Sequence, residues 1–382
     1  MSRRQCLLAL LLGVMTVCFW VNPIQAAVPR ISASAYCLLE SDNGQVLLMK
    51  NGDTPKPIAS TTKIMTAILA VEYCQMNEKA RVSSFADRTP EYTIGLRAGQ
   101  ELTVQELLKV ALIRSANDAA VVLAEHVAGD EALFGHLMSM KAFCLGACHT
   151  HFVNASGLPS EEGLSTAYDL ALVSRYALAN PQIREIVGQR QEKFQHPAYS
   201  QPLTISNTNT LLDSYPGANG LKTGTTNAAG KCLVGSANRQ GRELIAVVLK
   251  SGDRTGDCIR LLDYGFKDTH QVSVIDNSQS FKELSVNGGD PPYLNIYPAS
   301  GLQLWLGPVP IQVEKRVSMD YSLEAPLTKG KKVGILEVFT YGKLVQRIDL
   351  VAGNSVAQES SWLIKLGREI FFGKGNKGSG KE

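Results

Sequence analysis

The chain of 382 residues is 45% hydrophobic and carries a formal net charge of +3. That length predicts two or three domains, and the apolar fraction is ample for their cores. That charge says little about nucleic acid by itself, and no basic run interleaved with aromatics raises a nucleic-acid-binding reading, so none is expected.

Arg3 and Arg4 precede an apolar run from Cys6 to Trp20, and Pro23-Ile24-Gln25-Ala26-Ala27 follows. A charged start, an apolar middle and a small-residue exit describe a secretory signal peptide, with cleavage expected after Ala26. Its removal takes away two arginines and no acid, leaving a net charge of +1. The competing reading is a retained N-terminal membrane anchor, which Pro23 and the alanines disfavour.

Next come two β-rich runs, Ser32–Glu40 and Gln45–Lys50, joined by Asp42-Asn43-Gly44. Asn-Gly between apolar strands predicts a hairpin. After Pro57, a helix is expected over Thr61–Cys74; it is apolar nearly all round, as a centrally buried helix must be. Thr103 and Glu106 form a capping box for a helix over Val104–Ile113. Arg114-Ser115-Ala116-Asn117 breaks that helix, and further helices are expected at Ala119–Val127, Ala132–Leu145 and Thr166–Ala179. Gly217–Thr225, Lys231–Ala237 and Glu243–Lys250 read as strands, and Thr255–Phe266 as a closing helix. Strands at both ends and helices between them predict an α+β fold: one antiparallel sheet built from both chain ends, covered by helices, with a helical subdomain.

Beyond about Asp268 alternation takes over, through Gln271–Ile275, Tyr293–Tyr297, Gln303–Leu306, Gln312–Val317 and Lys332–Leu350. This is the pattern of a small all-β domain. Ser361–Phe372 then groups Trp362, Leu363, Ile364, Leu366, Ile370, Phe371 and Phe372 around Lys365 and Arg368, ahead of a Gly-rich tail with Lys374, Lys377 and Lys381. An amphipathic aromatic segment followed by basic residues fits a membrane-surface anchor; the alternative is a terminal helix docked on the β domain. The expected division is therefore 1–26 signal peptide, 27–268 catalytic domain, 269–355 β domain and 356–382 surface segment.

Three short motifs carry the chemistry. Ser60 and Lys63 stand three apart, so on a helix they share a face. A serine hydroxyl is a poor nucleophile until a base takes its proton, and a lysine can be that base once burial and a neighbouring cation lower its pKa. Lys222 would be such a cation. Ser115 and Asn117 sit in a break between helices, where Ser115 can relay a proton between Lys63 and a leaving amine and Asn117 can bond Lys63 and a substrate amide. Taken alone, these two residues would be plain caps, and Asp118 a first-turn acid. Lys222 and Thr223, on a strand, can hold a terminal carboxylate through charge-assisted hydrogen bonds. Gly224 permits close backbone approach. The Thr225 and Ser60 amides can form an oxyanion hole.

Six cysteines survive processing, irregularly spaced and several in apolar runs, and mostly free thiols are expected. Cys144, Cys148, His149 and His151 invite a zinc reading, but without a second ligand pair they read as an incidental helix end. The six histidines form no ligand set, and His126 reads as a packed helical residue. Glu161 and Glu162 read as exposed loop charges. No G-x-S-x-G elbow or H-E-x-x-H motif is present.

Ser60-Thr-Thr-Lys63, Ser115-Ala-Asn117 and Lys222-Thr-Gly224, in that order, resemble the S-x-x-K, S-D-N and K-T-G set of penicillin-recognising serine enzymes, with Ala116 at the middle of the second motif. The chain resembles the low-molecular-weight penicillin-binding proteins that act as serine D-alanyl-D-alanine carboxypeptidases. The likeness extends over Ile58–Thr66, Ser115–Ala120, Phe152–Leu158, Ser165–Leu170 and Gly220–Val234. It implies a β-lactamase/transpeptidase-like domain, a small β domain and a C-terminal membrane-surface anchor. It also implies Ser60 as nucleophile, Lys63 as base, Ser115 and Asn117 in the proton and amide network, and Lys222 and Thr223 on the substrate carboxylate. The implied reaction removes the terminal D-alanine of peptidoglycan pentapeptide stems through an acyl-enzyme. β-Lactams would acylate Ser60, with no metal or organic cofactor. Thr225 departs from members with histidine at that point, which leaves substrate preference open. A class A β-lactamase is disfavoured by the lack of an E-x-x-L-N pattern near Glu161 and Glu162, and a non-catalytic sensor by the intact motifs. A D,D-endopeptidase would use the same residues.

Overall fold

The computed structural model describes residues 28–319 and 323–359. The proposed signal peptide and the C-terminal surface segment from residue 360 onward lie outside them; the first residues given to that segment belong instead to the β domain, where Val356 is buried and Ala357–Gln358 pairs with Gly289–Asp290.

A five-stranded antiparallel sheet forms the centre of the first domain. Its strands are β1 (Ala35–Glu40), β2 (Val46–Lys50), β3 (Ala218–Thr226), β4 (Gly230–Arg239) and β5 (Arg242–Ser251), in the spatial order β2-β1-β5-β4-β3. The two chain ends meet where β1 pairs with β5, Cys37 opposite Val247. The period-2 geometry of a strand explains why both can be apolar throughout. In β1, Ala35, Cys37 and Leu39 face one core while Tyr36 and Leu38 face another; in β5, Ile245, Val247 and Leu249 oppose Leu244, Ala246 and Val248. Each fully buried Leu, Ile or Val contributes on the order of 1.5–3 kcal/mol, so a sheet covered on both faces is well anchored.

The larger core holds the helices between β2 and β3. Helix α1 (Lys63–Tyr73) runs through it with Lys63 to Ala70 all buried, as its apolar circumference predicts. Helix α2 (Asn117–Ala128) packs beside it, buried from Asn117 to Ala124. Thr103 and Glu106 make the expected reciprocal cap; the helix they start ends at Lys109 and passes into a π-helical turn, Val110–Arg114. The smaller core lies under the closing helix Arg254–Asp263.

Several elements of this domain are absent from the expectations above: the short strands Lys79–Arg81 and Glu101–Thr103, the single turns Ser84–Asp87 and Leu211–Ser214, and the helix and hairpin that follow. The helix Pro181–Gly188 is capped by Asn180, whose side chain accepts from the Gln182 and Ile183 amides, with Pro181 at the first helical position. That Asn-Pro start was legible. The hairpin Gln191–Phe194 with Leu203–Ser206 carries no clear alternation to announce it.

The second domain is β-rich, as expected. Its main sheet takes Lys282–Ser285, Tyr293–Pro298, Lys343–Ala352, Lys332–Thr340 and Val313–Met319 in that spatial order. The run Lys332–Leu350 is two strands, turned at Tyr341 and Gly342, whose positive φ values of 52° and 71° are those a tight hairpin needs. The domains are joined by reciprocal hydrogen bonds: Gln45 Nε2 donates to the Trp305 carbonyl at 2.7 Å, and the Trp305 amide donates to Gln45 Oε1 at 2.9 Å. Lys343 adds an ion pair to Asp53 at 2.7 Å.

Candidate active site

Ser60 lies in a 3-10 turn, Ala59–Thr62, that feeds directly into α1, and Lys63 is the first residue of that helix. The three-residue spacing therefore works across a 3-10/α junction. Lys63 Nζ donates to Ser60 Oγ at 3.0 Å, to Asn117 Oδ1 at 2.7 Å and to the Ser156 carbonyl at 2.7 Å. The side chain is 1% exposed. Burial first, and the Lys222 cation second, hold its pKa well below the ordinary lysine value, against the opposing pull of Asp118 and Glu131. Deprotonated, the amine keeps two N–H donors and can turn its lone pair to Ser60 Oγ, where it accepts the hydroxyl proton.

Lys222, Thr223 and Gly224 lie on β3, the edge strand of the sheet. An edge strand keeps backbone groups free of the ladder, available to a ligand laid along it. Lys222 is also 1% exposed, and burial, then Arg254, push its pKa down to about 7. Its Nζ donates to the Thr223 carbonyl at 3.1 Å. Gly224 is where β3 meets the serine turn: a Cβ there would lie 2.7 Å from the Ile58 carbonyl and 3.1 Å from the Ser60 amide nitrogen. The predicted close approach is thus one of protein backbone on protein backbone, which brings the Ser60 amide beside β3.

Asn117 opens α2. Its Nδ2 donates to the Glu91 carbonyl at 3.2 Å and its backbone amide to the Tyr92 carbonyl at 3.0 Å. Ser115 sits just before it with a left-handed backbone, φ 71°, at the end of the π-helical turn. Lys63 takes Asn117 and not the Ser115 hydroxyl as its acceptor.

Several contributors were not read from the sequence. Ser156 reaches Lys63 through its carbonyl, which no side-chain motif reveals. Its turn is held by Asn154, whose Oδ1 accepts from the Gly157 amide at 2.7 Å, and by Thr66, whose hydroxyl donates to the Ala155 carbonyl at 2.6 Å. An Asn three residues before a Gly was the available signal. Thr208 shares a 2.7 Å hydrogen bond with the Thr223 hydroxyl, and Arg254 donates to Thr225 Oγ1 at 2.9 Å and to the Gly224 carbonyl at 3.2 Å. Asp118 is more than a first-turn acid. It is buried, and its carboxylate accepts from the Ile94, Gly95 and Leu96 amides, fixing the segment that also bonds Asn117.

Glu161 and Glu162 are exposed loop charges, as expected, and the six described cysteines are free. The Cys144–His151 ligand types do not converge among the described residues. His126 is not packed: it is exposed and lies 3.3 Å from Glu78.

The fold brings a serine hydroxyl, an adjacent buried amine and a lysine-bearing edge strand together, an arrangement suited to acyl transfer. The D-alanyl-D-alanine carboxypeptidase family pattern matches residues 22–253, and that of the penicillin-binding protein 5 C-terminal domain matches residues 270–358. The D-alanyl-D-alanine carboxypeptidase DacF of Bacillus subtilis is 31% identical over 330 residues, 84% of this chain and 85% of the relative. Among solved structures, the D-alanyl-D-alanine carboxypeptidase DacD from Francisella tularensis superposes with a TM-score of 0.69 at 25% identity, covering 87% of this chain and 95% of that one. Penicillin-binding protein 5 from Haemophilus influenzae gives 0.68 at 25% identity, covering 87% and 99%. The chain belongs to the serine D-alanyl-D-alanine carboxypeptidases of the low-molecular-weight penicillin-binding protein class. Its activity is that carboxypeptidase reaction in peptidoglycan metabolism, and penicillin binding is typical of the family.

Proposed function

We propose that Ser60 is the acylated nucleophile and Lys63 its base. The observation that carries this is the Lys63 amine, buried beside a second lysine and 3.0 Å from Ser60 Oγ. In the forward step Ser60 Oγ attacks the carbonyl carbon of the penultimate D-alanine while its proton passes to Lys63. The Ser60 and Thr225 amides stabilise the resulting oxyanion. The C–N bond breaks, the departing D-alanine amine receives its proton by way of Ser115, and Asn117 steadies Lys63 and the substrate amide. Water then attacks the acyl-enzyme carbonyl with Lys63 again as base, releasing the shortened stem. A β-lactam enters by the same attack, with ring opening in place of D-alanine release.

Lys222 and Thr223 bind the substrate's terminal carboxylate. A bound carboxylate favours the charged form of Lys222. Lys222→Gln should therefore weaken kcat/KM for a free-acid D-Ala-D-Ala peptide by about tenfold or more, since one charge-assisted bond contributes about 1.5–3 kcal/mol, and should change the amidated peptide far less. Equal losses on both would refute the clamp. The same variant has a signed pH signature. Acylation falls as pH drops and Lys63 takes up a proton; with the Lys222 cation gone, one cause lowering the Lys63 pKa is gone. The acid limb of penicillin acylation should then move to higher pH, and an unmoved limb would contradict the coupling.

We also propose that residues 1–26 direct export and that 361–372 hold the enzyme on the outer face of the cytoplasmic membrane. The charged-apolar-small pattern supports the first and the aromatic, basic segment the second. Deleting residues 361–382 should release the protein from membranes with D-alanine release intact; continued membrane association would remove the anchor.

A further inference from the structure

Helices α1 and α2 both begin in the active site, with Lys63 and Asn117 hydrogen-bonded at 2.7 Å. Packed side by side, they also finish together. Cys74 is the C-terminal cap of α1, and His126 lies in the last turn of α2. Glu78 projects from the link between α1 and the short strand Lys79–Arg81. One ligand atom from each of Cys74, Glu78 and His126 lies within 4.8 Å of the others, and among the described residues this is the group of metal-ligating side chains that converges.

We propose that Cys74, Glu78 and His126 bind one zinc ion that fastens the far ends of the two helices carrying Lys63 and Asn117. The donors are a thiolate, an imidazole and a carboxylate, the set that borderline-soft, four-coordinate Zn2+ takes. At ordinary zinc distances of about 2.3 Å to sulfur and about 2.0–2.2 Å to nitrogen and oxygen, tetrahedral ligand atoms stand roughly 3.3–3.6 Å apart. His126 Nε2 and Glu78 Oε2 are already 3.3 Å apart, and no ligand pair need close by more than about 1.5 Å.

The backbone is fixed at all three positions. The Cys74 amide donates to the Ala70 carbonyl at 3.1 Å, the Glu78 amide to the Gln75 carbonyl at 3.1 Å, and the Val104 amide to the Glu78 carbonyl at 2.9 Å. His126 is held within α2. Its side chain is 26% exposed and that of Glu78 is 42% exposed, so an ion can enter from solvent and keep a water as fourth ligand. Binding displaces the Cys74 thiol proton to solvent as the S–Zn bond forms, with no redox change. An 11-residue helix is about 16 Å long, which places this clasp far from Ser60. Its role is structural, and the acyl-transfer chemistry does not pass through it.

The test uses the purified, reduced, chelator-stripped protein with Cys144→Ser and Cys148→Ser, which removes the two exposed thiols among the described residues. Titration with Co2+ should saturate at one equivalent with a thiolate-to-cobalt charge-transfer absorption. Zn2+ should displace the Co2+ and raise Tm progressively with its concentration. Adding Cys74→Ser should abolish the absorption. His126→Ala, or separately Glu78→Gln, should weaken Zn2+ binding by about tenfold or more. All three variants should keep penicillin acylation, which also shows that they are folded. No charge-transfer absorption in the Cys144→Ser/Cys148→Ser protein would overturn the proposal. So would an absorption that survives Cys74→Ser, or Zn2+ affinity unchanged by both His126→Ala and Glu78→Gln.

Discussion

Lys63→Ala should slow penicillin acylation and D-alanine release by roughly 10²–10⁴-fold, the range for loss of a positioned general base. The side chain is the common donor to Ser60 Oγ, Asn117 Oδ1 and the Ser156 carbonyl, so its removal takes away the base and the link joining three segments. Truncating it also removes a buried amine whose charged form is disfavoured by burial and by Lys222, so stability should change less than activity does. Lys63→Arg should not rescue the rate: a guanidinium stays protonated and cannot take the Ser60 proton. Stopped-flow acylation with a chromogenic β-lactam, beside a thermal melt, separates the two effects. A wild-type acylation rate in Lys63→Ala would refute its role as base.

Gly157→Ala should damage the site without touching a catalytic side chain. Gly157 has φ +79°, a conformation that favours glycine. An added Cβ would also fall on the Ala59 carbonyl and 2.8 Å from Thr62 Oγ1, both in the turn that carries Ser60. Backbone strain and overpacking each cost about 1–3 kcal/mol, and the turn can yield only by displacing Ser60 or the neighbouring Ser156 carbonyl. The expected result is a loss of about 2–4 kcal/mol in stability, together with acylation slowed by about tenfold or more, since misplacement of roughly 1 Å has effects of this order. Denaturant unfolding and acylation kinetics on the same preparation check both. Wild-type values in both would show that the contact is dispensable.

Much of this architecture was legible because it follows from local pattern. The Asn43-Gly44 hairpin, the all-apolar α1 and the Thr103–Glu106 capping box each express a rule confined to a few neighbouring residues. The three motifs were legible for a different reason: acyl transfer needs a nucleophile, a base and a carboxylate partner, and few side chains serve. What escaped has no side-chain signature or is assembled from distant segments. The Ser156 carbonyl is a backbone atom. Thr208 and Arg254 meet β3 from 15 and 29 residues away as measured to Thr223 and Thr225. Asp118 read as a helix-start acid because its partners, the amides of 94–96, lie across a loop. Glu78 and His126 are 48 residues apart, and only the packing of α1 on α2 brings them together. The Cys144–His151 group shows the converse: ligand residue types close in sequence that do not converge in space.

The proposed mechanism stands or falls with Ser60 as the carrier of the acyl group. The most direct measurement is mass spectrometry of the penicillin-treated protein, with D-alanine release from a D-Ala-D-Ala stem peptide measured alongside for wild type and Ser60→Ala. One penicilloyl adduct is expected, on the peptide containing Ser60. In folded Ser60→Ala the adduct should be absent, and D-alanine release should fall by on the order of 10⁴-fold or more. An adduct on another residue, or D-alanine release sustained in Ser60→Ala, would contradict the mechanism.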